Sequence, residues 1–155
     1  MLKPILVVCV VTLALCAAFA PVGFSTNEKP HEIDLAHVIE VHLGSKSNQM
    51  VFFPGRITLN KGERYLLVLT NPSPVTHEFA SEIFANHIET EKVKVLDRKG
   101  DLAAYVVGNI VEVELLPGNS IEWEFVTKSA APHIDLFCDI PGHRDAGMVG
   151  EINIR

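Results

Sequence analysis

From residue 33 onward the chain is cut into short runs in which apolar residues recur at every second position. Each run is closed by glycine, proline, asparagine or a charged turn. A period of two fits a strand with one buried face, whereas a helix carries its apolar stripe at every third or fourth residue. Ile33, Leu35, Ile39, Val41 and Leu43 mark the first run, with His37 interrupting its face. Residues 44–48 form a turn cluster, and 50–59 continue as extended chain broken at Pro54-Gly55. Lys61-Gly62-Glu63 turns into 64–70, a run apolar on both faces and so unsuited to an edge. Asn71-Pro72-Ser73-Pro74 stops it, 76–80 makes a short strand, and 81–86 can make one or two helical turns with Ser81 as N-cap. Runs at 92–96, 110–115, 120–126, 133–138 and 149–154 complete the pattern. Seven or eight short strands, with a short helical insertion near 81–90, predict an all-β fold: an antiparallel Greek-key sandwich or barrel. A chain of 155 residues holds one such domain and hardly two.

The first twenty residues belong to another class. Lys3, the apolar run 5–20 and the small-x-small pattern Ala18-Phe19-Ala20 before Pro21 predict a signal peptide over 1–20. Export follows, with the periplasm as destination. The run is slightly shorter than the roughly 20 apolar residues of a membrane-spanning helix; if retained, it would instead anchor the chain to a membrane. A lipoprotein signal at Cys16 fits poorly, because Leu15 stands where Gly, Ala or Ser is needed. Residues 21–32, polar and with two prolines, read as a linker to a domain over 33–155. The net charge of −6 and the lack of a basic cluster exclude nucleic acid as a partner. Cleavage after Ala20 removes Cys9 and Cys16 and leaves Cys138 alone. A lone cysteine in an oxidising compartment is an intermolecular link, a buried bystander, or a ligand or nucleophile.

Cys138 stands in L-F-C-D-I-P-G-H-R-D-A-G-M-V-G-E-I, residues 136–152, with the spacing Cys138-x4-His143-x4-Met148. A thiolate, an imidazole and a thioether on one loop between two strands suit copper in a trigonal His2Cys plane with a weak axial donor. The plane lacks one imidazole, and His31, His37, His42, His77, His87 and His133 are available. His77 follows a proline-rich loop and opens a strand, so the sheet would anchor it. His87, in the helical insertion, is the second choice. His133 lies five residues before Cys138, an odd step that puts it on the opposite face of their strand.

Together with the upstream Thr76-His77-Glu78-Phe79, this loop resembles the cupredoxins, small exported blue-copper proteins, over roughly residues 33–155. The loop spacing is similar to its rusticyanin-like version. The resemblance implies His77, Cys138, His143 and Met148 as ligands of one copper ion, and His143 as the exit for electrons. It implies a one-electron carrier, not an enzyme, working between redox proteins such as a cytochrome or an oxidase. Copper storage or delivery by the same ligands is the alternative. Glu78 departs from the family, where Asn or Ser often follows the upstream histidine and donates a hydrogen bond. An ionised carboxylate accepts and cannot donate. We read Glu78 as turned to solvent, with a backbone amide serving the sulfur; the other reading places its carboxylate beside the site.

Competing chemistries fit less well. A dinuclear copper centre needs two thiolates, and structural zinc prefers four strong N or S ligands. Cys138 as nucleophile with His143 as base requires an accessible thiol, whereas the period-two count turns Cys138 inward with Ile134 and Leu136. Multicopper oxidases and copper nitrite reductases need further copper sites and a second domain.

Overall fold

The alternation resolves into two β-sheets in the computed structural model, which describes residues 37–155. Expectations for 1–36 (signal peptide, linker, start of the first run, His31) lie outside the described residues. The strands are β1 (Val38–Leu43), β2 (Phe52–Phe53), β3 (Arg56–Leu59), β4 (Arg64–Thr70), β5 (His77–Ala80), β6 (Ile88–Leu96), β7 (Leu102–Val106), β8 (Glu112–Leu115), β9 (Ser120–Thr127), β10 (Ala131–Phe137) and β11 (Val149–Ile154). A short helix, α1 (Glu82–His87), joins β5 to β6. One sheet has the order β2-β1-β4-β9-β6-β7, the other β3-β11-β10-β5-β8. Their inner faces share one core, in which Leu67, Leu69, Ile121, Trp123 and Phe125 meet Phe79, Ile134, Leu136, Ile152 and Ile154.

The all-β sandwich agrees with the expectation, while the expectation of a wholly antiparallel one is corrected. β1 runs parallel to β4, and β3 runs parallel to β11. Period-two patterning records which face of a strand is buried, and it carries no information about a neighbour's direction. The central β4 alternates buried and half-buried residues along its length, as its two-sided apolarity requires. β6 starts at Ile88, earlier than the pattern indicated, because a bulge between Thr90 and Lys92 breaks the alternation. β7 went unrecognised: all five of its residues are exposed, so no buried face imposes a period.

The helical insertion forms as its sequence suggests. Ser81 has an extended backbone and its hydroxyl accepts the Phe84 amide, the geometry of an N-cap. The same Oγ donates to the Asp135 carbonyl at 2.7 Å, tying the start of α1 to β10. Phe84 then enters the core edge-on to Phe79, Trp123 and Phe125, at centroid distances of 6.4, 5.8 and 5.4 Å. We expect Phe84→Ala to cost the metal-free protein about 3–5 kcal/mol, measured by urea unfolding followed through Trp123 fluorescence. A loss below about 1 kcal/mol would mean that α1 is dispensable to the core.

Candidate metal centre

Asn71 fixes the loop that delivers His77. It is wholly buried; its amide nitrogen donates to the carbonyls of Val75 and Leu115, and its Oδ1 accepts the Ser73 amide. Every polar atom of that side chain is thereby used to hold a proline-broken segment for which no strand ladder exists. β5 begins immediately afterwards, with His77 in register with Leu115 of β8.

The second segment starts where β10 ends. Cys138 follows Phe137, and its amide donates to the Met148 carbonyl, carrying the β10–β11 pairing one step further. Between them the chain coils, with His143 N–H donating to Ile140 and Met148 N–H to His143. Gly142 and Gly147 take positive φ angles of 86° and 99°, which lets so short a loop close.

These two segments bring one nitrogen each of His77 and His143 and the Cys138 sulfur within 4.8 Å of one another. His143 Nδ1 lies 3.3 Å from Cys138 Sγ, and the two imidazole rings are 5.0 Å apart. His77, Cys138 and Met148 are fully buried, and His143 is partly exposed. Neither nitrogen of His77 has a hydrogen-bond partner among the described residues. A buried polar group left in that state costs about 1–3 kcal/mol, and a metal ion bound among these donors would remove part of that cost. Thiolate and imidazole are the donors that suit copper, so the residues fit the group.

Burial sets the proton affinities. The His77 pKa falls to about 4, first through desolvation and then through the charge of His143, so the ring is neutral and free to donate its lone pair at neutral pH. Desolvation pushes the Cys138 thiol up, against the amides of Glu78 and Ile140, which hydrogen-bond the sulfur and favour the thiolate. The Glu78 amide lies 3.3 Å from Sγ.

The other described histidines lie outside the cluster. His87 bonds Ser129 Oγ at 2.7 Å, exposed His133 pairs with Glu151 at 3.1 Å, and His37 lies 3.5 Å from Glu63. His42 is exposed. Glu78 differs from its expected place. Its amide does serve the sulfur, but its side chain is buried and Oε2 accepts the Asp139 amide at 3.0 Å. Burial, followed by the charge of Glu112, raises its pKa. Two supporting roles were missed from the sequence. Asn71 gave only a turn signal there, and the Ser81 cap gave no sign of its bond to β10.

Residues 39–155 match the family of copper binding proteins described as plastocyanin/azurin. The copper-resistant cuproprotein CopI of Rubrivivax gelatinosus is 31% identical over 112 residues, 70% of this chain and 62% of that protein. The protein of the same name from Pseudomonas aeruginosa is 30% identical over 145 residues, 76% of this chain and 75% of its own length. The chain thus spans less than two thirds of the Rubrivivax relative. In fold it is similar to the McoA multicopper oxidase of Aquifex aeolicus (TM-score 0.54, 20% identity), over 82% of this chain and 31% of that one. The matched family span takes in all but the first two described residues, together with both segments of the His-Cys-His cluster. The chain belongs to the plastocyanin/azurin family of copper-binding proteins.

Proposed function

We propose that His77, Cys138 and His143 hold a single copper ion, with Met148 as a weak fourth donor, and that the protein is a one-electron carrier. Bound there, copper supplies a Cu(I)/Cu(II) couple. The observation that carries the reading is the assembly of the three donors within 4.8 Å by two independently braced segments. Asn71 holds one segment and the backbone bonds among Cys138, His143 and Met148 hold the other, so neither needs to move when the charge at the site changes. Little rearrangement means a small barrier to electron exchange. Buried His77 closes the inner side of the site to water. His143, flanked by the exposed Gly142, Ala146 and Gly147, brings its ring towards the surface where a redox partner would dock.

A non-enzymatic role is the companion proposal. A reactive cysteine has a lowered pKa and access to solvent, and Cys138 has a raised one and none. Arg144 does not set the charge at the exit alone, because its guanidinium lies over Phe137 and bonds Asp139 at 2.9 Å. With a net charge of −6, a basic partner such as a cytochrome, or an oxidase with a basic face, would be steered towards the protein. Export to the periplasm places it among such partners.

The names of the two CopI relatives favour a second reading, in which the same ligands store or deliver copper. Loading with copper separates the two. An intense visible band with reversible one-electron cycling supports the carrier; tight Cu(I) binding without a stable Cu(II) form supports delivery.

Three outcomes are expected of the ligand set. Cys138→Ser abolishes the visible charge-transfer band, while His87→Ala and His133→Ala keep it at full strength; a surviving band in Cys138→Ser would move the thiolate's role elsewhere. Met148→Leu retains copper and raises the midpoint potential, since loss of a weak donor destabilises Cu(II) more than Cu(I); voltammetry reads this directly. In the metal-free protein, the unfolded chain protonates His77 near 6.5 and the folded one only near 4. Stability therefore falls as pH drops through that window, because the unfolded state binds the extra proton. Urea midpoints across pH 4–6.5 should show a steeper decline for the parent than for His77→Gln, and parallel declines would place the His77 pKa at its ordinary value.

A further inference from the structure

Gly44, the residue after β1, lies against the His77 ring. Its φ is +74°, and its amide donates to the Val51 carbonyl at 2.8 Å, closing the turn between β1 and β2. A Cβ built on Gly44 would lie 2.3 Å from His77 Nε2, 2.7 Å from Cδ2 and 2.9 Å from the Ser73 Cβ. No real Cβ contact is that close, and the ring has little freedom to yield. It is fully buried, with the His143 ring 5.0 Å away. A side chain at 44 would have to displace or tilt the imidazole.

We propose that Gly44 is a positioning residue for the copper site: the missing side chain is the seat that sets where the His77 ring can stand. The inference rests on His77 being a copper ligand. Its physical content, a steric coupling between positions 44 and 77, also exists without metal. Two effects of glycine are separable here. A left-handed backbone strains any other residue, while close approach penalises a side chain only where something is already there. Gly62 supplies the comparison, since it has a φ of +83° and nothing within 4 Å of its built Cβ.

The test compares Gly44→Ala with Gly62→Ala in the copper-loaded full chain. Both are expected to lower stability through strain. Gly62→Ala should keep the parent's band position, midpoint potential and copper affinity. Gly44→Ala should shift the band and the potential and weaken copper binding by about tenfold to a hundredfold. A Gly44→Ala protein with the parent's spectrum and potential overturns the proposal. Should Gly44→Ala not fold, the metal-free double variant with His77→Gly decides. Folding restored by removal of the ring supports the seat, and a chain that stays unfolded overturns it. Where both fold, the metal-free cycle should show Gly44→Ala costing less in the His77→Gly background than in the parent, and equal costs overturn the coupling. If the parent itself shows no copper band, the ligand reading fails, while the metal-free cycle still tests the steric one.

Discussion

The hydrogen bond from the Glu78 amide to the Cys138 sulfur joins two parts of the chain that share almost no backbone pairing. β5 and β10 share a single backbone register pair, Phe137 with Ala80. Beyond it the ladder is continued by side-chain acceptors: the sulfur takes the Glu78 amide, and the Glu78 carboxylate takes the Asp139 amide. Ser81 adds a third tie, its hydroxyl donating to Asp135. The spacing between the upstream histidine and the cysteine loop is therefore set by three bonds that involve side chains, at the point where a regular sheet would use backbone alone. Sandwich, core and loop all serve to bring these two ends within reach.

That junction is electrostatically expensive. Glu78 stands opposite Glu114 across β5 and β8, and like charges in that relation are unfavourable. It also sits one residue from a histidine and against a thiol that burial keeps from ionising easily. The two amides on the sulfur oppose that penalty, and the Asp139 amide does the same for the carboxylate. Fixed dipoles of this kind stabilise charge without having to reorient, unlike water. They lessen the cost of an anionic sulfur in the buried site before any metal arrives.

Much of this was legible in the sequence wherever burial imposes a period or chemistry imposes a spacing. The β4 run, the Ser81 cap and the parity that separates His133 from Cys138 all follow from one-dimensional rules, and the structure agrees with them. The Cys138–Met148 spacing led to the loop because its donors are local. The illegible parts share another property. β7 has no buried face to leave a pattern, the parallel pairing of β1 with β4 depends on a crossover, and the bulge at Thr90–Lys92 erases the period where β6 begins. The inward turn of Glu78 depends on an amide 61 residues away in sequence. Charge alone predicts solvent for such a residue, and only the fold supplies the donor that keeps it inside.

The four proposed donors of the site are unevenly distributed along the chain. Cys138, His143 and Met148 lie within eleven residues of one another, whereas His77 must come from some sixty residues upstream. Closing a loop of eleven residues costs little entropy even in a disordered chain, and closing one of sixty costs more. The unfolded polypeptide thus already carries three of the four proposed donors on one short segment, while the imidazole of His77 would join only when the two sheets have formed. A ligand that also binds the unfolded state raises the melting temperature by less than its affinity for the native protein implies. With those donors, heat stability gained on metal loading would understate how tightly the folded site holds its ion. The shortfall would measure the grip of the loop by itself.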